Sequence, residues 1–275
     1  MEPSAVAIPR ARARPRRPPG LLETRGRLVL GTLAVAVFLL VWEAVGWLEV
    51  IPVAFIARPT LVVEAGYDLA RSGELLANAR VSFLEFVYGF FPALVAGVAL
   101  GIAMGRYRRV GNLLDPLMMA AYTTPRIALL PLLIIWFGVG MGSKVAIVFL
   151  GAVFPIIVNT VAGIRQIEPV WVRAARSFGC NELGILRRVV LPGALPIIMT
   201  GVRLGVGRGI ISVIVGEMYV SVAGVGRIMM DYSAGIRTAH TIVLVAVVAG
   251  FGFLLVRAVY ELERRLGPWR QEQLG

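Results

Sequence analysis

The chain has 275 residues, of which 58% are hydrophobic, and its mean hydropathy is +0.80. A soluble domain with a single core does not need so many apolar residues, so the composition indicates a membrane protein. The formal net charge is +12, but the basic residues lie in short clusters between apolar runs and not along one amphipathic face. This distribution argues against binding to nucleic acid.

At the N-terminus, residues 1–27 combine seven arginines with several prolines. Such a composition cannot bury a core and is typical of a disordered segment, which we expect to be a cytoplasmic tail. Residues 266–275 are expected to form a second cytoplasmic tail. The region between them, 28–265, is predicted to be the membrane domain.

Six apolar runs in this region are each long enough to cross a bilayer, which predicts an all-α polytopic membrane protein. The third run is the weakest, because Pro116, Pro125, Pro131 and Arg126 interrupt it. Proline removes a backbone donor, so we expect a broken helix that protein or water must cover. The predicted spans are 28–47, 83–105, 113–137, 145–164, 194–220 and 241–260.

The distribution of charge between the runs predicts the orientation. With both termini in the cytoplasm, nineteen Arg and Lys residues fall on the cytoplasmic side and six on the opposite side. The positive-inside rule favours this arrangement. The outward loop of residues 49–80 is predicted to carry a short surface helix at about residues 61–70.

The cytoplasmic loop 165–193, between the fourth and fifth spans, has a pattern of its own. Ala174, Ala175 and Phe178 have helical spacing, and Gly179 can end that helix. A second apolar face follows, which Pro192 is expected to stop; it consists of Leu183, Leu186, Val189 and Val190. Two short helices outside the bilayer need a surface to dock against.

This loop resembles the signature of permease subunits of ABC importers, which is Glu-Ala-Ala, three residues, Gly, nine residues and Ile-x-Leu-Pro. The spacing is kept, but Arg173 stands where the family has Glu, so a contact of that carboxylate cannot be transferred. The resemblance implies a coupling helix that fits a partner ATPase. The residues implied are Arg173, Ala174, Ala175, Gly179, Leu183, Val189, Leu191 and Pro192.

The resemblance extends over most of residues 80–270, where stretches such as LLDPLMMAAYTTPRIALLPLLIIWFGVG and FPIIVNTVAGIR are similar to permeases that import nitrate, taurine, alkanesulfonates, bicarbonate and some thiamine or riboflavin precursors. It implies a homodimer in the bacterial inner membrane, which moves a small anion delivered by an external binding protein. Two cytoplasmic ATPases would hold the ATP and Mg²⁺.

The chain itself is not expected to be an enzyme or to bind a cofactor. It has no Gly-x4-Gly-Lys-Ser/Thr loop, because its only lysine, Lys144, follows Ser143. Cys180 and His240 are each the only residue of their type, which excludes an intramolecular disulfide and a clustered His/Cys metal site. A membrane-embedded enzyme would need a nucleophile with a base, and we find none.

Four ionisable residues lie at membrane depth, where each would cost at least about 2.5 kcal/mol if it faced lipid. They are Arg126, Arg203, Arg208 and Glu217. In one interpretation they line the translocation path together with Thr123 and Thr124. In the other, Glu217 and an arginine form a structural pair. A secondary transporter or channel could instead use Glu217 and an arginine as a charge relay, but it would have no use for a docking loop.

Two series of glycines with four-residue spacing expose bare backbone on one helix face each, which predicts close helix packing. Packing within one subunit is favoured over a seam between two copies. The glycines are Gly97, Gly101, Gly105, Gly201, Gly205 and Gly209.

Overall fold

The computed structural model describes residues 21–48, 52 and 55–266, with side chains from residue 29 onward. Every regular element in these residues is helical, which confirms the all-α prediction. Predictions for residues 1–20 and 267–275 lie outside the described residues. The first helix, α1 (Leu21–Trp47), covers the first predicted span and begins within the stretch predicted to be a tail. Its apolar side chains are mostly exposed, as a lipid-facing helix requires.

The other helices follow the predicted order. The surface helix is present as α2, which has proline in its first turn, where the missing N–H costs nothing. Among the described residues, five helices are long and apolar enough to span a membrane, and a bent pair supplies a sixth crossing or a re-entrant loop. The elements after α1 are α2 (Pro59–Arg71), α3 (Glu74–Arg106), α4 (Arg108–Thr123), α5 (Leu130–Phe137), α6 (Met141–Arg165), α7 (Pro169–Ser177), α8 (Glu182–Ile185), α9 (Leu191–Val220), α10 (Val225–Ala234) and α11 (Thr238–Leu266).

The third predicted span is the bent pair. Helices α4 and α5 meet at 89°, with a 3₁₀ turn at Arg126–Leu129 leading into α5. Proline forces the residue before it out of the helical region, and Thr124 is extended, with ψ 128°. Pro116 lies inside α4 and Pro131 in the first turn of α5, so of the three prolines only Pro125 breaks the span.

Helix α6 is the centre of the bundle and packs against both α3 and α9. Both glycine series face it: Gly97 lies against Ile156, and Gly205 lies against the other side of the same residue. A Cβ atom on Gly97 would stand 2.8 Å from Ile156 Cγ2, which leaves no room for a side chain. The glycines therefore pack helices within one chain, as predicted.

Candidate functional site

We call residues 165–193 the coupling segment. Its first helix is α7, which Gly179 ends as predicted. Gly179 has φ +77°, a conformation that residues with a Cβ rarely adopt. Its N–H donates to the carbonyl oxygen of Arg176 (2.9 Å), and the N–H of Cys180 donates to that of Ala175 (3.1 Å). This pair of hydrogen bonds closes the helix and redirects the chain. A Cβ on Gly179 would meet nothing within 4 Å, so its conformation, not its size, requires glycine.

Helix α7 has an inner and an outer side. Val172 and Ala175 are half-buried against the bundle, near Ile185. The outer side carries exposed apolar residues, with Phe178 88% and Trp171 61% exposed. We call this outer surface the docking face; it consists of Val170, Trp171, Ala174 and Phe178. Arg173, in the place of the family's Glu, is also exposed.

The second half of the coupling segment differs from the prediction. Helix α8 starts at Asn181, whose side chain accepts the N–H of Gly184 (2.8 Å), and continues through a π-helical turn at Leu186–Val190 into α9. The expectation that Pro192 stops this helix is wrong. Pro192 lies in the first turn of α9, where its missing N–H is tolerated. Leu183 is exposed, whereas Val189 and Leu191 are half-buried.

Glu182 joins the parts of this segment. Its carboxylate accepts hydrogen bonds from Arg176 of α7 (2.7 Å) and from Arg106 at the end of α3. The hydrogen bond from Arg176, together with the nearby charge of Arg106, lowers the pKa of Glu182 below its ordinary value. We call these three residues the coupling clamp.

The break between α4 and α5 opens a cavity of about 290 Å³ beside α9. Arg126 donates from Nη1 to the carbonyl oxygen of Gly151 (3.2 Å) near the middle of α6. Arg208, near the middle of α9, lines the same cavity. The structure therefore brings these two arginines, which belong to the third and fifth predicted spans, to one cavity. We call it the arginine cavity. The remaining lining residues are Tyr122, Thr124, Ile127, Ile211 and Ser212.

The other residues predicted for the path lie elsewhere. Thr123 is exposed, and its hydroxyl donates to carbonyl oxygens of α4. Arg203 forms an ion pair with Glu263 of α11 and also donates to Thr200 Oγ1 (3.0 Å). Neither is among the residues that line the cavity with Arg126. Their role in the path stays a prediction.

Glu217 is completely buried, near the end of α9 that lies far from the coupling segment. Its carboxylate accepts hydrogen bonds from Ser82 Oγ (2.6 Å) and from the N–H of Gly226 (2.7 Å). Its hydrogen-bond partners among the described residues include no arginine, so the structure does not form the Glu217–arginine pair of the second interpretation. The burial still favours the structural interpretation over exposure to a solute.

These contacts fasten the first turn of α10. Three successive backbone N–H groups point at side chains of other helices: Gly224 at Asn78 Oδ1 (2.7 Å), Val225 at Ser82 Oγ (2.9 Å) and Gly226 at Glu217. The first N–H groups of a helix have no partner within the helix, and its positive end favours a carboxylate. A Cβ atom on Gly226 would stand 2.8 Å from Glu217 Cβ, so this approach needs glycine.

Beside Glu217, the sequence analysis missed a buried ion pair. Lys144 of α6 pairs with Glu85 of α3 and also donates to Ser221 Oγ (2.8 Å). Both residues are at least 95% buried. A signal was present, because Glu85 falls inside the second predicted span. We call the group of Asn78, Ser82, Glu85, Lys144 and Glu217 the anchor cluster.

Comparison with known proteins assigns the chain to a family. The family described as "Binding-protein-dependent transport system inner membrane component" matches residues 93–268, which include the coupling segment and the arginine cavity. The chain belongs to this family. It is the permease component of an ABC importer, and as such a transport subunit.

Named relatives and solved structures agree with this assignment. The permease is 36% identical over 258 residues to the taurine transport system permease protein TauC of Escherichia coli, covering 91% of this chain and 92% of that protein. It is 32% identical to the putative aliphatic sulfonates transport permease protein SsuC of Bacillus subtilis, covering 99% and 98%. An inward-facing structure of the MetNI methionine ABC transporter shares the fold, with a TM-score of 0.52, 21% identity and coverage of 76% and 97%.

Proposed function

We propose that the permease moves a small organic anion across the bacterial inner membrane, driven by a cytoplasmic ATPase that binds at the docking face. The observation that carries this proposal is the exposed apolar surface of Val170, Trp171, Ala174 and Phe178 outside the helix bundle. An exposed apolar patch of this kind marks a protein interface. ATP and Mg²⁺ would be held by the partner and not by this chain.

The connection between α8 and α9 supports a role in coupling. The Arg176–Glu182 ion pair links α7, which carries the docking face, to α8. Because no loop separates α8 from α9, a displacement of the docking face would be passed to α9, which carries Arg208 near its middle. The coupling clamp adds a link from Glu182 to Arg106 at the end of α3. ATP binding and hydrolysis by the partner would then shift two helices of the bundle together.

A series of cavities supports a path along α4 and α6. The arginine cavity shares Tyr122 with a second cavity of about 620 Å³, which extends to Asp115 and Arg165. These two residues also line a third cavity of about 390 Å³ at the end of the bundle near the coupling segment. The three cavities thus lead from the middle of the bundle to the side of the ATPase.

The remaining partners follow from the same arrangement. The cavities are open along the surface of one chain, so a second copy is proposed to close the path and form a homodimer. The relatives named for taurine and aliphatic sulfonates support an anionic solute, handed over by an external binding protein. We propose that the coupling segment and both termini lie in the cytoplasm, which the distribution of positive charge supports.

The test is co-purification of tagged permease from its native membrane, with mass spectrometry to identify an ATP-binding subunit. Phe178→Ala removes the most exposed side chain of the docking face, and we expect it to release most of the bound ATPase. Gly179→Val should do the same, because valine is disfavoured at φ +77°. Phe253→Ala, which truncates an exposed phenylalanine on α11, is the matched control and should retain the ATPase.

A permease that purifies without an ATPase and moves solute in liposomes without ATP would contradict the proposal in favour of a secondary transporter. Retention of the ATPase by both Phe178→Ala and Gly179→Val would contradict the assignment of the docking face.

A further inference from the structure

The cations at membrane depth differ in whether they have an acidic partner. Lys144 pairs with Glu85, and Arg203 pairs with Glu263. Arg126 and Arg208 form no ion pair with any carboxylate in the part of the chain that the structure describes. Arg126 is half-buried, whereas Arg208 is exposed on the surface of the single chain. A cation at membrane depth is costly where it faces lipid, so both arginines need a polar or anionic neighbour.

The two arginines line the same cavity, and Arg126 is fixed in place. Its guanidinium lies between two rings, 5.5 Å from the centroid of Phe154 and 5.7 Å from that of Tyr122, and is tethered to the carbonyl oxygen of Gly151. Its Nε is buried and has no hydrogen-bond partner. A guanidinium held in this way, with donors beyond the one that Gly151 accepts, is an arrangement suited to binding an anion.

The rest of the cavity indicates what the anion carries. The hydroxyls of Thr124 and Ser212 donate to carbonyl oxygens of their own helices, so their oxygen atoms remain free to accept from a ligand. Tyr122, Ile127 and Ile211 add apolar surface. A volume of about 290 Å³ suits a small solute with a short aliphatic body.

We propose that Arg126 and Arg208 form an oxyanion site that holds the sulfonate group of a short alkanesulfonate in the middle of the bundle. The inference rests on the proposed function, since the site would be a station on the proposed path. A phospholipid phosphate has the same chemistry, but headgroups lie at the bilayer surface, whereas Arg208 lies near the middle of α9. The ammonium group of taurine could donate to the hydroxyl oxygens.

The site is tested with the full-length permease in phosphatidylcholine nanodiscs, with ethanesulfonate as the probe and ethanesulfonamide as its neutral counterpart. Thermal unfolding is followed as a function of probe concentration. We expect ethanesulfonate to raise the Tm with saturation and ethanesulfonamide to have no effect. Arg208→Gln should weaken the apparent affinity by about tenfold or more, because charge-assisted hydrogen bonds are lost.

Two further variants separate the site from general charge effects. Arg208→Lys keeps the charge but not the fork of donors, so its affinity should lie between those of the wild type and Arg208→Gln. Arg257→Gln, at an exposed position on α11, removes the same charge outside the cavity and should bind like the wild type.

The proposal is overturned if ethanesulfonate does not stabilise the wild type, if ethanesulfonamide stabilises it equally, or if Arg208→Gln binds ethanesulfonate as the wild type does. Co-purification of the ATPase is measured separately on the same variants. A permease that binds ethanesulfonate through Arg208 but carries no ATPase would support the site and contradict the proposed function. A wild-type permease that retains the ATPase but does not bind ethanesulfonate would support the proposed function and contradict the site.

Discussion

The anchor cluster and the arginine cavity are two polar regions of one apolar bundle. They differ in whether their charged groups have partners within the described part of the protein. In the anchor cluster, Lys144 forms an ion pair with Glu85, and Glu217 accepts hydrogen bonds from Ser82 Oγ and from the N–H of Gly226. Arg126 and Arg208 line one cavity and form no ion pair with a carboxylate of the described residues. A bilayer supplies no water to satisfy polar groups, so each region must be completed from within the protein or by a solute.

This difference separates structural from transport roles more sharply than residue type does. A group whose partners are all contributed by the protein fixes helices to one another. A charged group without a partner in the protein is available to bind a solute of opposite charge. The charges of the anchor cluster are paired within the protein, although Glu85 Oε2 accepts no hydrogen bond, and the cluster holds α3, α6, α9 and α10 together at one end. The arginines of the cavity between α4 and α9 have no such ion pair among the described residues.

The largest effect should follow from breaking the buried pair. Lys144→Met leaves Glu85 buried without its cation, and we expect the free energy of unfolding to fall by about 3–5 kcal/mol. Denaturant unfolding of the detergent-solubilised protein, followed by tryptophan fluorescence, measures it. Adding Glu85→Gln should recover a large part of the loss. Arg208→Gln removes a cation that has no acidic partner and should change stability little, so equal losses in the two single variants would refute the comparison.

A smaller effect is expected where backbone approaches the cluster. Gly226→Ala places a methyl group against Glu217 and the α9 backbone, which should cost about 1–3 kcal/mol of unfolding free energy. Gly207→Ala is the matched control, because no atom lies within 4 Å of its Cβ position and alanine favours a helix. The same denaturant titration compares the two. A Gly226→Ala protein as stable as Gly207→Ala would show that α10 is not held closely by the cluster.

The sequence predicted those features that depend on neighbouring residues. The apolar runs, the break at Pro125 and the turn at Gly179 are local, and all three are present. Pro192 was misjudged because the same residue fits both the end of a helix and its first turn. Only the helix that follows decides between the two.

The sequence could not predict which helix faces meet. Glu85 and Lys144 belong to different helices, and nothing local links them. Arg203 and Arg208 are five residues apart on α9, which places them about 140° apart around the helix axis. One meets Glu263 and the other faces the cavity, although both appear in the sequence as an arginine within an apolar run.

The coupling clamp provides the weakest contrast, because Glu182 is exposed and water screens its ion pairs. Its pKa lies below its ordinary value of 4.5, since Arg176 and Arg106 favour the carboxylate. The contribution of the clamp is therefore complete above that ordinary value and is lost as the pH falls through the lowered pKa in the folded protein. We expect hydrogen exchange of α7 amides to be unchanged between neutral pH and pH 5, after correction for the intrinsic rate, and to increase at more acidic pH. Glu182→Gln should show the increased exchange already at neutral pH, with global stability almost unaffected. If α7 exchange in Glu182→Gln matches the wild type at neutral pH, the docking face is held by the packing of Val172 and Ala175 and not by the coupling clamp. The exposed ion pairs of the clamp would then contribute little to local stability, in contrast to the buried pair of the anchor cluster.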